Sequence, residues 1–347
     1  MSLLARRFPK LSMVPHVPLA RTTPVERMDD LSKALGAELW VKRDDRTADL
    51  YGGNKVRKLG FLLGDARQKG CEALVTAGAL GSHHVLATSL FGRKWGFDVH
   101  AVMVPQPWTG HVEENLRADL AVGATLHPVK AWAAVPPTMA GLAAHMRLQG
   151  KRTYRVAYGG SSPVGALGYV EAGLELAAQI EAGELPEPER IFVALGSGGT
   201  AAGLAIGLAS LGITTKVHAV RVTPRLVCNQ ATVAALITAT MRKLRKVEPA
   251  FPAVAPAARA AVEIDHSLFG GGYGTLDDAT REATVRADAE GLSVDPTYTA
   301  KAFAALLRHQ RATPGRALFW HTLSSADLSP VLEDAPEAPA WARQLAR

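Results

Sequence analysis

YGGNKVRKLG occupies residues 51–60. Two glycines and an asparagine lead into Lys55, Arg57 and Lys58, and an apolar helical pattern follows with Leu59, Leu62, Leu63 and Ala66. At ~100° per residue, Leu59, Leu62 and Ala66 fall within ~40° of Lys55 around a helix axis. Lys55 therefore stands in the middle of the apolar stripe at its first turn. Arg57 projects from nearly the opposite side, and Lys58 sits on the edge. A lysine so placed is partly desolvated and adjoins the positive end of the helix dipole, and both effects lower its pKa. A neutral, buried amine is a nucleophile suited to a Schiff base. The competing reading has Lys55 snorkel past the leucines to solvent. The glycines offer close backbone approach and Asn54 a side-chain amide, as a cofactor pocket needs.

A second stretch of this kind is ALGSGGTAAGLAIGLA, residues 194–209. A buried strand runs into a glycine-rich turn, and a helix of small residues follows. Successive N–H groups of such a turn, with the helix N-terminus behind them, bind phosphate. Gly196, Ser197, Gly198, Gly199 and Thr200 are the candidates, against the plainer reading of a tight strand–helix turn. The same letters fit a loose dinucleotide fingerprint through Gly196, Gly198 and Ala201. That reading wants a carboxylate near the end of the next strand. KVHAVRV (216–222) offers Arg221 instead, which counts against NAD and leaves NADP open.

The third stretch is TAGALGSHHVLAT, residues 76–88. Ser82 is placed as the N-cap of a new helix whose free N–H groups could hold a substrate carboxylate. Ser82, His83 and His84 bring three hydrogen-bonding groups to one turn, or else a cap with two surface histidines. Adjacent histidines do not share a helix face, so no metal site is expected there.

The 347 residues are 48% hydrophobic and 20% charged, a globular composition long enough for two domains. Two distant cysteines, Cys71 and Cys228, are neither a disulfide framework nor a metal cluster. No signal peptide or membrane span is legible, so a cytoplasmic enzyme is the default. The formal charge of +7 is spread out. Its densest run, MRKLRK at 241–246, lacks interleaved aromatics and reads as a solvated helix face rather than a nucleic-acid patch. An acidic substrate or a phosphorylated cofactor fits the charge as well.

Strand-like runs at 38–42, 72–77, 98–104, 124–129, 190–195, 216–222 and 316–322 alternate with helical patterns, as at 112–123 and 275–291. Thr275 is the expected N-cap of the latter helix. The proline-containing stretch 246–257 reads as a surface loop. Alternating βα units predict an α/β fold with mostly parallel sheets and helices on both faces.

Taken together, VKRDD (41–45), GGNKVRKL (52–59), TAGALGSHH (76–84), ALGSGGTAAGL (194–204), GGYG (271–274), DPTYTAKA (295–302) and FWHT (319–322) resemble the pyridoxal-phosphate enzymes of the tryptophan-synthase-β fold. They look most like the branch with 1-aminocyclopropane-1-carboxylate deaminase and D-cysteine desulfhydrase. The resemblance spans about residues 20–325. It implies PLP fold type II, with two three-layer αβα domains: a large one of 1–60 and 175–347, and a small inserted one of 61–174. The cofactor would lie in the cleft between them.

Residue by residue, the resemblance makes Lys55 the Schiff-base lysine and puts Asn54, His83 and Thr322 at the cofactor. Lys58 would lie near the phosphate, which the 196–200 loop would cradle, and Tyr298 would stack on the ring. Ser82 and Tyr273 would be catalytic groups at the substrate, with His83 and His84 beside them, and Lys55 or Tyr298 as further proton-transfer candidates. Thr299 would face the pyridine nitrogen. The deaminase has a glutamate there and the desulfhydrase a threonine, so elimination from a substrate with a good β-leaving group is expected over cyclopropane opening. The implied product is a 2-oxo acid with ammonia, and the implied assembly a homodimer.

Four positions depart from the family pattern: His83 replaces an asparagine, Leu86 an arginine, and Leu323-Ser324 a glycine pair. They point to a rebuilt substrate wall, to which WTGH (108–111) would contribute. A β-replacement synthase, the deaminase itself, an NADP-dependent reductase and a non-catalytic PLP-binding protein are the alternatives.

Overall fold

The computed structural model describes residues 2–269 and 277–346. GGYG, with Tyr273, and the expected cap Thr275 lie outside them.

The strands are β1 (Val25–Arg27), β2 (Glu38–Lys42), β3 (Ala73–Ala79), β4 (Asp98–Val104), β5 (Thr125–Pro128), β6 (Thr153–Arg155), β7 (Arg190–Leu195), β8 (Lys216–Arg221), β9 (Val262–Asp265) and β10 (Arg316–Trp320). They form a six-stranded sheet, β1-β2-β10-β7-β8-β9, and a four-stranded sheet, β5-β4-β3-β6. Every pairing is parallel except β1 with β2. The predicted parallel α/β architecture is present: parallel neighbours need a long crossover, which helices supply, while β1 and β2, joined by the short helix Asp29–Leu35, run antiparallel.

The chain divides into two compact units, Met1–Val14 with Pro18–Lys58 and Ser161–Ser325, and Pro15–Val17 with Leu59–Gly160 and Ala326–Arg347. The first holds the six-stranded sheet. One face carries Leu39, Val41, Phe192, Ala194, Val220 and Phe319 against the helices Asp278–Ala289 and Thr299–Ala312. The Gly199–Ala209 helix packs on the same strands from the other side, beside the Leu167–Glu181 helix. The four-stranded sheet of the second unit is likewise covered on both faces. Val135, Met139 and Met146 pack on one, and Val85, Val112, Leu116 and Ala342 on the other.

These units differ at two places from the domain limits expected from sequence. Residues 161–174 belong to the first unit, since the Leu167–Glu181 helix bonds there through Tyr169 and Glu175. Residues 326–347 belong to the second, where Arg117 donates to the carbonyl oxygens of Ala335 and Pro336. Helix ends moved as well. Asp277, not Thr275, caps the Asp278–Ala289 helix, its carboxylate accepting from the Thr280 N–H at 2.8 Å. The expected loop 246–257 is helical at both ends, and its Phe251 is buried against Phe8. MRKLRK does form a helix face, with Met241 and Leu244 turned inward.

Candidate active site

The Asn54–Gln68 helix begins where the backbone folds most tightly. Gly53 has φ +86°, and its N–H donates to the Asp44 carbonyl oxygen at 2.8 Å. A Cβ on Gly52 would lie 1.8 Å from the Asp45 carbonyl oxygen, and one on Gly53 would lie 2.6 Å from that of Thr322. The two glycines thus allow close backbone approach, and the segments that approach are those of Asp45 and Thr322. Thr322 accepts from the Asn54 N–H at 3.1 Å, and Ser324 Oγ accepts from the Gly52 N–H at 2.8 Å.

Arg57 belongs to the same close-packed start. It is buried, not turned to solvent. Its guanidinium donates to Asp44 at 2.7 Å and to Glu175 at 2.8 Å. Lys42 donates to the same Glu175 at 2.6 Å. Asp44 also accepts from Thr23, Tyr169 and the Trp320 indole. Two cations and two carboxylates therefore balance inside the first unit. Burial opposes the ionised form of Glu175, yet Arg57 and Lys42 hold its pKa down to about 2. The apolar stripe alone misled here, because residues 56–66 are buried on every face. VKRDD and the arginine of GGNKVRKL are the frame that fixes the helix start.

Lys55 stands on that frame. Its side chain is half-buried, and desolvation lowers its pKa to about 8 against the opposing charge of Asp295. Lys58, one turn on and buried, is pushed well down by desolvation and then by Lys55. Its Nζ lies 5.9 Å from the Tyr169 ring centroid.

The glycine-rich loop meets the same helix start, since Asn54 Nδ2 donates to Thr200 Oγ1 at 3.2 Å. Gly198 takes φ +88° at the head of the Gly199–Ala209 helix, which has no side-chain cap. Ser161, unforeseen from sequence, shares a 2.7 Å hydrogen bond with Ser197 Oγ and accepts from the Gly199 N–H. A Cβ on Gly196 would come within 3.2 Å of the Tyr298 ring. Asn54, Lys55, Lys58, 196–200, Tyr298, Thr299 and Thr322 are thus linked within one unit.

Asp295 is the other residue that sequence reasoning missed, although it opens the quoted DPTYTAKA. Its carboxylate accepts from the N–H groups of Thr297, Tyr298 and Thr299, and from Thr299 Oγ1 at 2.7 Å. An acidic residue four positions before a threonine at a helix start was the available signal.

In the second unit Ser82 does cap the His83–Lys94 helix, its Oγ accepting from the Val85 N–H at 3.4 Å. His84 is buried, with Nε2 3.0 Å from Thr76 Oγ1. His83 is half-buried, and its ring centroid lies 4.5 Å from that of His111, the last residue of WTGH. Leu86 is core. Among the described residues no group of three or more histidine, cysteine or acidic side chains is placed to hold a metal, and no helix is long and apolar enough to cross a membrane.

The sequence pattern of one family matches residues 17–322: pyridoxal-phosphate dependent enzyme. The chain belongs to that family. A D-cysteine desulfhydrase of Salmonella paratyphi B is 35% identical over 335 residues, covering 91% of this chain and 94% of its own. A crystal structure of an ACC deaminase homologue superposes with TM-score 0.77 at 28% identity, over 94% of this chain and 98% of that one. Threonine deaminase isoform 2 from Solanum lycopersicum shares the fold at 18% identity and TM-score 0.62, over 95% and 87%.

The cofactor is therefore pyridoxal phosphate, and the residues fit it. A helix N-terminus behind a glycine turn, with no cap from its own N-cap residue Gly198, suits a phosphate, and an amine with a pKa near 8 suits an aldehyde. The NADP reading falls. Arg221, its only support for a 2′-phosphate, donates to His266 Nδ1 at 2.8 Å and stacks 4.4 Å from Phe269.

Proposed function

We propose that this pyridoxal-phosphate dependent enzyme eliminates a β-substituent from a small amino acid, releasing a 2-oxo acid and ammonia, as a D-cysteine desulfhydrase would. The observation that carries the reading is Lys55: a desolvated amine at a helix start, one hydrogen bond (Asn54 to Thr200) away from a glycine-rich, phosphate-type loop. The 35% identity to D-cysteine desulfhydrase over nearly both full lengths supports the choice of reaction.

Pyridoxal phosphate, when bound, supplies an electron sink for the bonds at the substrate α-carbon. This chain's residues do the rest. The Gly196–Thr200 loop and the N–H groups of the helix behind it hold the phosphate. Lys58 is assigned to that side, where a bound phosphate would favour its protonated form. Tyr298 would pack on the ring. Lys55 would hold the cofactor in the resting enzyme, and its amine, with its lowered pKa, would serve as the base for the α-proton. Ser82 and His83 are assigned to the substrate carboxylate, and Thr299 to the ring nitrogen. Tyr273 is kept as a further substrate-side candidate. A cytoplasmic homodimer is the assembly in which we expect this to occur.

A panel of D- and L-cysteine, D- and L-serine and 1-aminocyclopropane-1-carboxylate tests the reading, with 2-oxo acid and ammonia measured together. D-cysteine should be turned over and Lys55→Ala should abolish turnover. Product from the cyclopropane amino acid alone would move the assignment to the deaminase. A substrate-dependent absorbance change without product would leave a PLP-binding protein. Product formation only with an added thiol or amine nucleophile would make the chain a β-replacement enzyme.

A further inference from the structure

The Thr299–Ala312 helix starts with a reciprocal pair. Thr299 Oγ1 lies 2.7 Å from Asp295 Oδ2, and the Asp295 N–H donates back to Thr299 Oγ1 at 2.7 Å. An ionised carboxylate only accepts, so the short contact between the two oxygens uses the hydroxyl proton. A threonine hydroxyl has one proton and two lone pairs. Here the proton and one lone pair are both taken by Asp295. The remaining lone pair can receive a hydrogen bond and cannot give one. Thr299 is 1% exposed, so no bulk water competes for its hydroxyl.

The carboxylate is itself firmly held. Thr297 and Tyr298 donate their N–H groups to Oδ1, at 2.9 and 2.7 Å, and Thr299 donates its own to Oδ2 at 3.1 Å. The charge also reaches the reacting end of the site, since Asp295 is the group that opposes the desolvation of Lys55.

From this geometry we infer that Asp295 is a positioning residue for the cofactor: it locks Thr299 as a hydrogen-bond acceptor and so selects the pyridine nitrogen in its protonated form. The inference rests on the assignment of Thr299 to the ring nitrogen made above. A free hydroxyl would adapt, donating to a bare nitrogen or accepting from a protonated one. This one is committed. The proton on the ring comes from water, and Asp295 keeps its negative charge one hydroxyl away. Such a ring withdraws electrons more strongly than the neutral side chain by itself suggests, and the chain reaches by relay what a glutamate at position 299 would do directly.

The test is ¹⁵N NMR of pyridoxal phosphate labelled at the ring nitrogen and loaded into the full-length protein. In the wild type the signal is expected in the pyridinium region. Asp295→Asn keeps an oxygen to cap the helix. However, its amide N–H now donates to Thr299 Oγ1, which turns the hydroxyl proton outward. The signal should then move to the neutral-pyridine region. Thr299→Ser should retain the pyridinium signal and Thr299→Val should lose it, so the inference remains testable if Asp295→Asn fails to fold. A neutral-pyridine signal in the wild type would overturn the inference. So would an unchanged pyridinium signal in folded Asp295→Asn. If Thr299→Val leaves the spectrum unchanged while Lys55→Ala abolishes the bound cofactor's absorbance, PLP sits on Lys55 but its nitrogen is not at Thr299, and the underlying assignment fails instead.

Discussion

The lowered pKa of Lys55 makes the most direct claim on an experiment. A solvent-exposed lysine titrates near 10.5, and burial brings this one to about 8, with Asp295 resisting the change. A drop of about 2.5 units multiplies the free-amine fraction at pH 7 by about 300. The apoprotein should therefore react with pyridoxal phosphate at neutral pH far faster than a surface lysine does. Borohydride trapping at intervals after mixing, repeated from pH 6.5 to 10, would follow the rate, and peptide mass analysis would locate the adduct. The rate should climb through pH 7 and level off above about pH 9, with the adduct on Lys55. Lys58 is also pushed down, but it is buried and should remain unlabelled. Asp295→Asn removes the charge that favours the ammonium, so its midpoint should fall below that of the wild type. A rate that still rises tenfold per unit at pH 10, or an adduct on Lys58, would refute the reasoning.

Two further predictions concern the frame. Arg57→Met leaves Asp44 and Glu175 facing Lys42 alone, and should cost about 3–5 kcal/mol in urea unfolding. Arg57→Met/Glu175→Gln should lose less than the sum of the two single changes, and additive losses would count against a shared network. In the second unit, Asp119 is buried, and desolvation raises its pKa to about 8 against the opposing pull of Ser89. A raised carboxyl pKa destabilises the fold above the unfolded value of 3.8, increasingly until the folded value is reached. Asp119→Asn should therefore gain on the wild type by about 1.4 kcal/mol per pH unit between about pH 4 and 8, approaching about 4 kcal/mol at pH 7. A stability difference that stays constant from pH 5 to pH 7 would show that Asp119 is not the responsible group.

Much of the site was readable as short motifs because each carries a local physical signal. The glycine turn before the Gly199–Ala209 helix, Ser82 as the cap of the His83–Lys94 helix and Lys55 on an apolar stripe need only neighbouring residues to be recognised. Arg57 was misread for the same reason. A helix wheel reports which side is apolar, but it cannot report a carboxylate that arrives from residue 175. Gly52 and Gly53 were read as sites of close backbone approach, but which backbone approaches, that of Asp45 and Thr322, was not readable. Ser161 and Asp295 carry ordinary loop residues' letters, and only their partners mark them.

The amino-acid order by itself determined the alternation of strands and helices, the family and the cofactor. These follow from periodicity, from turn chemistry and from motifs that keep their order along the chain. Tertiary structure alone decided how the charges pair: Lys42 with Glu175, 133 positions apart, and Arg57 between two carboxylates. It also decided that Thr299 presents a lone pair rather than a proton. A buried charge or hydroxyl is defined by what the fold brings to it, and that partner lies where no local pattern reaches.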